Sequence, residues 1–340
     1  QLYEEERQKV ADFLGAPTRQ EIVFTSGTTQ SINLVAHSFG RKFVNSGDEV
    51  IISNIEHHAN IVPWQVLCDE KGAKLKVIPV ADNGELIMEE YDKLLTNKTR
   101  VVAVNHVSNA LGTINPVNEI TRKAHAVGAK VLIDGAQSTP HMKVDVQDIG
   151  CDFYTFSGHK MYAPSGIGGM FGKMEVMETM PPYVMGGDMI MQVTLEKSTY
   201  AKPPARFEAG TPPISQVIGL GAAIDYLNSV GMDNIFEYEK SLLDYGTQLL
   251  NDIEGVCIIG NAKEKAAILS IYLEVAHPHD MITMLDQDGI ALRGGHHCAQ
   301  PTMIRFGVPA TARASMAFYN KFSEIDALAD SLRKVIKLFS

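Results

Sequence analysis

Cys151-Asp152-Phe153-Tyr154-Thr155-Phe156-Ser157-Gly158-His159-Lys160 is an apolar run that stops in a small polar turn and a single lysine. The run reads as a buried strand and the turn as its delivery point at a sheet edge. A lysine placed there loses solvation, which disfavours the ammonium form, lowers its pKa and frees the amine for Schiff-base chemistry. A surface lysine following a strand would look the same locally, so the reading turns on what surrounds it.

Upstream, strands and helices alternate. Glu21–Phe24, Glu49–Ser53, Lys74–Val80, Val101–Val104 and Lys130–Asp134 read as strands. Between them, helices are expected from Thr28 to about Phe39, from about Val62, over Met88–Thr96 and over Pro116–Val127. Alternation with short connections predicts right-handed crossovers and a large, mostly parallel sheet covered by helices on both faces. Such sheets bind ligands beyond the carboxyl ends of their strands. Thr28, His57, Asn109, Asp134, Gln137 and Lys160 all fall there. Each alone is an ordinary cap or loop residue, but their shared location points to one site. Asp134 ends a continuous apolar strand and, buried there, calls for a cationic partner. Thr25-Ser26-Gly27-Thr28-Thr29-Gln30 joins a strand to a helix N-terminus, which suits either an anion site or a plain N-cap.

Gly166-Ile167-Gly168-Gly169 and Gly219-Leu220-Gly221-Ala222 do not complete a dinucleotide fingerprint. Past Gly172 the alternation breaks. Met174–Met189 and the polar run to Lys202 read as connecting and intersubunit structure. Ser215–Leu227 reads as a bridging helix, followed by a smaller α/β domain with helices over Ile235–Ile253, Pro278–Gln287 and Glu324–Leu338 and strands over Val256–Ile259 and Ala267–Leu273. This gives a large domain over 1–224 and a small one over 225–340.

Hydrophobic residues at 45% and charged residues at 21% exclude disordered and fibrous classes. A formal charge of -10 argues against nucleic-acid and anionic-membrane partners. No stretch approaches the roughly 18 apolar residues of a membrane span. The cysteines at 68, 151, 257 and 298 are widely spaced with no C-x-x-C pair, which fits a reducing, cytoplasmic setting better than disulfides or zinc. In Arg293-Gly294-Gly295-His296-His297-Cys298 a cysteine stands among cationic neighbours that favour thiolate, although a free cysteine is also commonly just buried. No metal site is expected, because adjacent residues rarely bind one ion and no second Cys/His cluster exists.

These motifs together resemble one family. Ser26-Gly27-Thr28-Thr29, Glu56-His57-His58-Ala59-Asn60, Asn109, Asp134-Gly135-Ala136-Gln137, Ser157-Gly158-His159-Lys160, Phe207-Glu208-Ala209-Gly210-Thr211, Arg293 to Cys298 and Arg313-Ala314-Ser315 occur in this order. The set is similar to that of the pyridoxal-phosphate-dependent cysteine desulfurases of the class V aminotransferase superfamily, fold type I. Within them it resembles the SufS-type group, which includes selenocysteine lyase-like members.

The resemblance implies that Lys160 holds pyridoxal 5'-phosphate covalently, that Asp134 pairs with its ring nitrogen, that His57 stacks on the ring and that Gln137 bonds its phenolic oxygen. Thr28, Thr29, Ser157 and His159 would hold the phosphate, with Thr211 contributed by the other subunit of a homodimer. Asn109 and Arg313 would bind the substrate carboxylate, with Arg293 also at the substrate site. Lys160, Cys298 and His57 would be catalytic, Cys298 taking sulfur from L-cysteine as a persulfide and leaving L-alanine. L-Selenocysteine is a second implied substrate, and a dedicated acceptor protein of iron–sulfur cluster assembly an implied partner. Relatives carry a segment ahead of the position of Gln1 that helps wall the site, so its absence here bears on full activity. Gly294, where many relatives carry Thr or Ala, suggests a more mobile loop.

Overall fold

A computed structural model describes residues 1–340. Its seven-stranded sheet comprises β1 (Ile22–Thr25), β2 (Glu49–Ser53), β3 (Lys74–Ile78), β4 (Thr99–Asn105), β5 (Lys130–Asp134), β6 (Phe153–Ser157) and β7 (Gly168–Gly172). Their order is β3-β2-β4-β5-β6-β7-β1, and only β7 runs against the rest. The expected large, mostly parallel sheet is therefore present. Side chains alternate between two cores, as the period of two requires. Val102, Val104, Val131, Ile133 and Phe156 point into one, whereas Val101, Ala103, Leu132 and Phe153 point into the other. That is why these strands read as continuous apolar runs.

The sequence reading missed β7. Its glycines answer to close packing: a Cβ on Gly168 would stand 2.5 Å from the Phe156 carbonyl oxygen and 2.6 Å from Gly27 Cα, and one on Gly169 would stand 2.6 Å from the Val23 oxygen. Glycine marks a close backbone approach here, and no apolar pattern betrays the strand. The stretch read as connecting structure contains an exposed hairpin, β8 (Ile190–Val193) and β9 (Ser198–Tyr200).

The second sheet, β10 (Val256–Ile259), β11 (Ile268–Leu273), β12 (Arg293–Gly295) and β13 (Thr311–Ser315), has the order β10-β11-β13-β12 and is antiparallel throughout. Helices Met232–Asn251, Pro278–Gln287 and Phe322–Phe339 supply the rest of its core. Residue 224 lies inside helix Ile214–Val230, whose Val217, Leu220, Ile224 and Leu227 all belong to the core of the large sheet. The two sheets are joined where the loop after β4 meets the segment before β11: Ala266 N–H donates to Gly112 O at 2.9 Å and Ile114 N–H to Glu264 O at 3.0 Å. Gly294, expected in a loose loop, is paired with Ala312 in β12, and a Cβ there would meet Ile282 at 2.8 Å.

Candidate active site

Five of the parallel strands, β1, β2, β4, β5 and β6, end at one rim, where the following loops enclose a cavity of about 250 Å3. Thr28, Thr29, His57, Asn109, Asp134, Gln137, Ser157, His159 and Lys160 line it. Right-handed crossovers place the loops of parallel strands on the same edge, so residues from Thr28 to Lys160 converge.

Lys160 closes the short turn Gly158–Lys160 after β6. Burial pushes its pKa down; the Asp134 charge opposes that and Arg313 adds to it. Asp134, 5% exposed at the end of β5, is pushed up by burial and held down by the Lys160 charge and by the Ala136 N–H, which donates to Oδ1 at 3.0 Å. The buried acid and the desolvated amine thus act on each other electrostatically.

His57 lines the same cavity. Burial first, and then the Lys160 charge, lower its pKa to about 4, so the ring is neutral at pH 7. The Ala59 N–H donates to Nδ1 at 3.0 Å, which leaves the ring proton on Nε2. At the other end, the Ser157 hydroxyl accepts from the Thr28 N–H at 2.9 Å and donates to Thr28 Oγ1 at 3.0 Å. The helix Thr28–Val35 begins here, so the hydroxyls surround the positive end of its dipole. The Thr28 N–H is taken by Ser157 and the Ser26 N–H by Gln30 Oε1, an arrangement that suits the cap and the anion-site readings alike.

The second sheet brings Arg313, Arg293 and Cys298 to the same rim. Arg313 Nη1 donates to Asn109 O at 2.7 Å, while its buried Nε and the buried Asn109 Oδ1 have no partner in the protein. Unpaired polar atoms of this kind are costly unless something binds there. Arg293 stands opposite Arg313 in the ladder and is exposed. Cys298 is exposed, and its charge is felt by both Lys160 and Arg313. Thr211 lies apart, lining a separate 230 Å3 cavity with Ser26 and Gln30.

The cysteine loop is strained. His297 and Cys298 are consecutive non-glycine residues at φ 54°, each costing about 1–3 kcal/mol. Side chains from elsewhere hold it: Asn109 Nδ2 donates to His297 O at 2.6 Å, and His297 Nε2 pairs with Thr311 Oγ1 at 2.9 Å, which in turn pairs with Ser270 Oγ at 2.7 Å.

Sequence reasoning did not single out Glu56. It is fully buried, accepts from Ser53 Oγ, Asn60 Nδ2 (2.8 Å) and Asn105 N (3.0 Å), and burial raises its pKa to about 8. It ties the ends of β2 and β4 behind the cavity. The only signal in the sequence was its place beside His57.

The donor set fits pyridoxal 5'-phosphate: a desolvated amine, a buried acid, a neutral flat ring, and a helix N-terminus rimmed by hydroxyls, all around one cavity. A model of the aminotransferase class-V family matches residues 1–328. A cysteine desulfurase from Synechococcus elongatus is 50% identical over 333 residues, covering 98% of this chain and 53% of that protein. A probable cysteine desulfurase from Halalkalibacterium halodurans is 50% identical over 337 residues, covering 99% of this chain and 83% of the other. The chain spans about half the length of several curated relatives it matches. The crystal structure of a cysteine desulfurase from Escherichia coli, in an S-sulfonic acid form, superposes with a TM-score of 0.96 at 38% identity, covering 100% of this chain and 84% of that one. Pyridoxal 5'-phosphate is the cofactor of these enzymes. The chain belongs to the aminotransferase class-V family.

Proposed function

We propose that the protein is a cysteine desulfurase, converting L-cysteine to L-alanine while Cys298 takes the sulfur as a persulfide. The observation that carries this reading is the convergence on one rim of a desolvated lysine from the first sheet and an exposed cysteine from the second. The likeness to cysteine desulfurases supports it.

Lys160 would hold the cofactor, Asp134 would pair with its ring nitrogen, His57 would lie on its face, Gln137 would meet its phenolic oxygen, and Thr28, Thr29, Ser157 and His159 would receive its phosphate. When bound, pyridoxal phosphate supplies an electron sink for negative charge at the substrate α-carbon. Arg313 offers a buried, unpaired Nε to the substrate carboxylate, a task suited to a guanidinium, and the unpaired Asn109 Oδ1 lies alongside. Arg293, across the ladder, adds positive charge. Lys160 Nζ, with its pKa lowered, takes the α-proton. The Cys298 thiolate attacks the substrate sulfur; an S–S bond forms, the Cβ–S bond breaks with its electron pair left on carbon, and a proton added at Cβ together with the α-proton returned by Lys160 Nζ completes alanine. Neutral His57 keeps the cavity wall flat without adding charge.

The exposed Met191, Val193 and Leu195 of the hairpin and the position of Thr211 outside its own cavity support a homodimer in which hairpin and Thr211 serve the partner. A sulfur-acceptor protein of iron–sulfur cluster assembly follows from the persulfide, and four free cysteines support a cytoplasmic setting. We assign two domains, with the boundary after helix Ile214–Val230, since its buried residues on both sides of 224 pack on the large sheet.

Alanine release by the reconstituted protein with excess thiol tests this. Cys298→Ala should abolish turnover of L-cysteine; undiminished release would refute the persulfide route. Release from L-selenocysteine by the same variant would add a lyase activity.

A further inference from the structure

We infer that His58 is the positioning residue for Cys298, clamping the cysteine loop from across the domain boundary. The inference rests on the reading of Cys298 as the sulfur acceptor. His58 grips the loop twice. Its backbone N–H donates to Cys298 O at 2.7 Å, and its ring Nε2 accepts from the Gln300 N–H at 3.1 Å. The two bonds bracket the cysteine, one on its own carbonyl and one two residues on.

The second bond also caps a helix. Gln300 opens the short helix Gln300–Arg305, and its N–H is one of those a helix start leaves without an intrahelical acceptor. Nothing in Ala299 can fill that role, since the residue before the helix has no side-chain acceptor. A side chain more than two hundred residues away does so instead. Accepting through Nε2 fixes the ring proton on Nδ1.

The loop needs such a grip. His297 and Cys298 both sit at φ 54°, a conformation that relaxes unless its surroundings over-determine it. Asn109 holds the His297 carbonyl, but only His58 holds the Cys298 carbonyl and the amide beyond. His58 is also the first residue of the turn His58–Asn60, whose preceding residue is His57. One turn of chain therefore presents His57 to the cavity and His58 to the cysteine. The pair of adjacent histidines divides into a pocket-facing and a loop-facing member, and the cysteine loop is indexed to the pocket through one peptide bond as well as through the second sheet.

The test uses the reconstituted protein and two variants. His58→Phe keeps the ring volume but removes the Nε2 acceptor; His58→Gln restores an acceptor near the same place. In a single turnover with L-cysteine, His58→Phe should slow persulfide formation on Cys298 by roughly tenfold to a hundredfold, the cost of misplacing a reacting group. The spectral change on adding cysteine should stay at the wild-type rate, and His58→Gln should recover most of the loss. Hydrogen exchange at the Gln300 amide, followed without any substrate, should accelerate in His58→Phe and return towards wild type in His58→Gln. Wild-type persulfide kinetics in His58→Phe would overturn the inference, as would equal losses in both variants. Full alanine release by Cys298→Ala refutes the reading of Cys298 itself, whereas loss there with no effect in His58→Phe refutes only the clamp.

Discussion

Lys160 follows a strand that is buried along its whole length within a mostly parallel sheet, whereas Cys298 sits on an exposed turn of an antiparallel sheet with two left-handed residues in succession. The first arrangement is a consequence of topology. Parallel strands with crossovers must put their following loops on one rim, so five loops deliver their polar residues to one cavity. The second is held by borrowed contacts. Asn109 and His58 of the large sheet and Thr311 of the small one fix a backbone that would otherwise relax. The carbon chemistry thus rests on the body of the fold, and the sulfur chemistry on a strained loop pinned to it.

Removing Lys160 breaks the pocket side of this comparison most severely. Lys160→Ala should reduce alanine release by roughly 10²–10⁴-fold, the contribution of a positioned proton-transfer group. The same variant should change the rate of Cys298 alkylation by iodoacetamide only modestly, through loss of the nearby Lys160 charge, with the exposed Cys257 as internal reference. A large change in that rate would show that the loop depends on the pocket chemistry and not only on its hydrogen bonds.

Arg313 stands on the small sheet but serves the pocket, and sharpens the boundary between the two. Its Nη1 is tied to Asn109 O, leaving Nε free. Lysine cannot keep that bond and also offer a second, parallel donor. Arg313→Lys should therefore raise KM for L-cysteine by roughly tenfold to a hundredfold, equivalent to one charge-assisted bond of about 1.5–3 kcal/mol. Steady-state kcat should change much less, and an effect confined to kcat would place Arg313 outside carboxylate binding.

The pocket was legible in the sequence because each contributing loop follows an apolar strand, and strand ends can be read from pattern alone. Asp134 and Lys160 stood out as charges against such runs. The antiparallel β7 was not legible. Its Gly168 and Gly169 are demanded by backbones that pass within van der Waals reach, a long-range constraint that no local periodicity carries. Glu56 and His58 escaped for a related reason: both sit beside a residue with an evident role, and their own partners, Asn105 and Gln300, are far along the chain. The cysteine loop was recognisable by composition, but its two left-handed residues in succession were not: histidine visits that region more often than most residues without marking it, and cysteine gives no signal at all.

Acid should loosen the two regions alike. His106, behind the pocket against the Tyr154 hydroxyl, and His297, in the cysteine loop, are both lowered to about 4, in each case chiefly by burial. Between that value and the ordinary 6.5 the unfolded chain binds the proton and the folded one does not. Each histidine therefore contributes stability that is complete above about pH 6.5 and is lost as the pH falls towards 4. From pH 7.5 to pH 6 one such group accounts for about 1 kcal/mol. Glu56 works in the opposite sense: raised to about 8, it is protonated in the folded state where the unfolded chain has released its proton, so its contribution is present below about pH 4.5 and is lost as the pH rises through 8. The slope for the whole protein mixes these signs, and the comparison must be made between variants. In urea unfolding at pH 7.5 and 6, His106→Gln and His297→Gln should each flatten the acid loss by a similar amount. A flattening in His106→Gln alone would mean that the loop releases His297 to solvent before the protein unfolds, and that the strained region opens on its own.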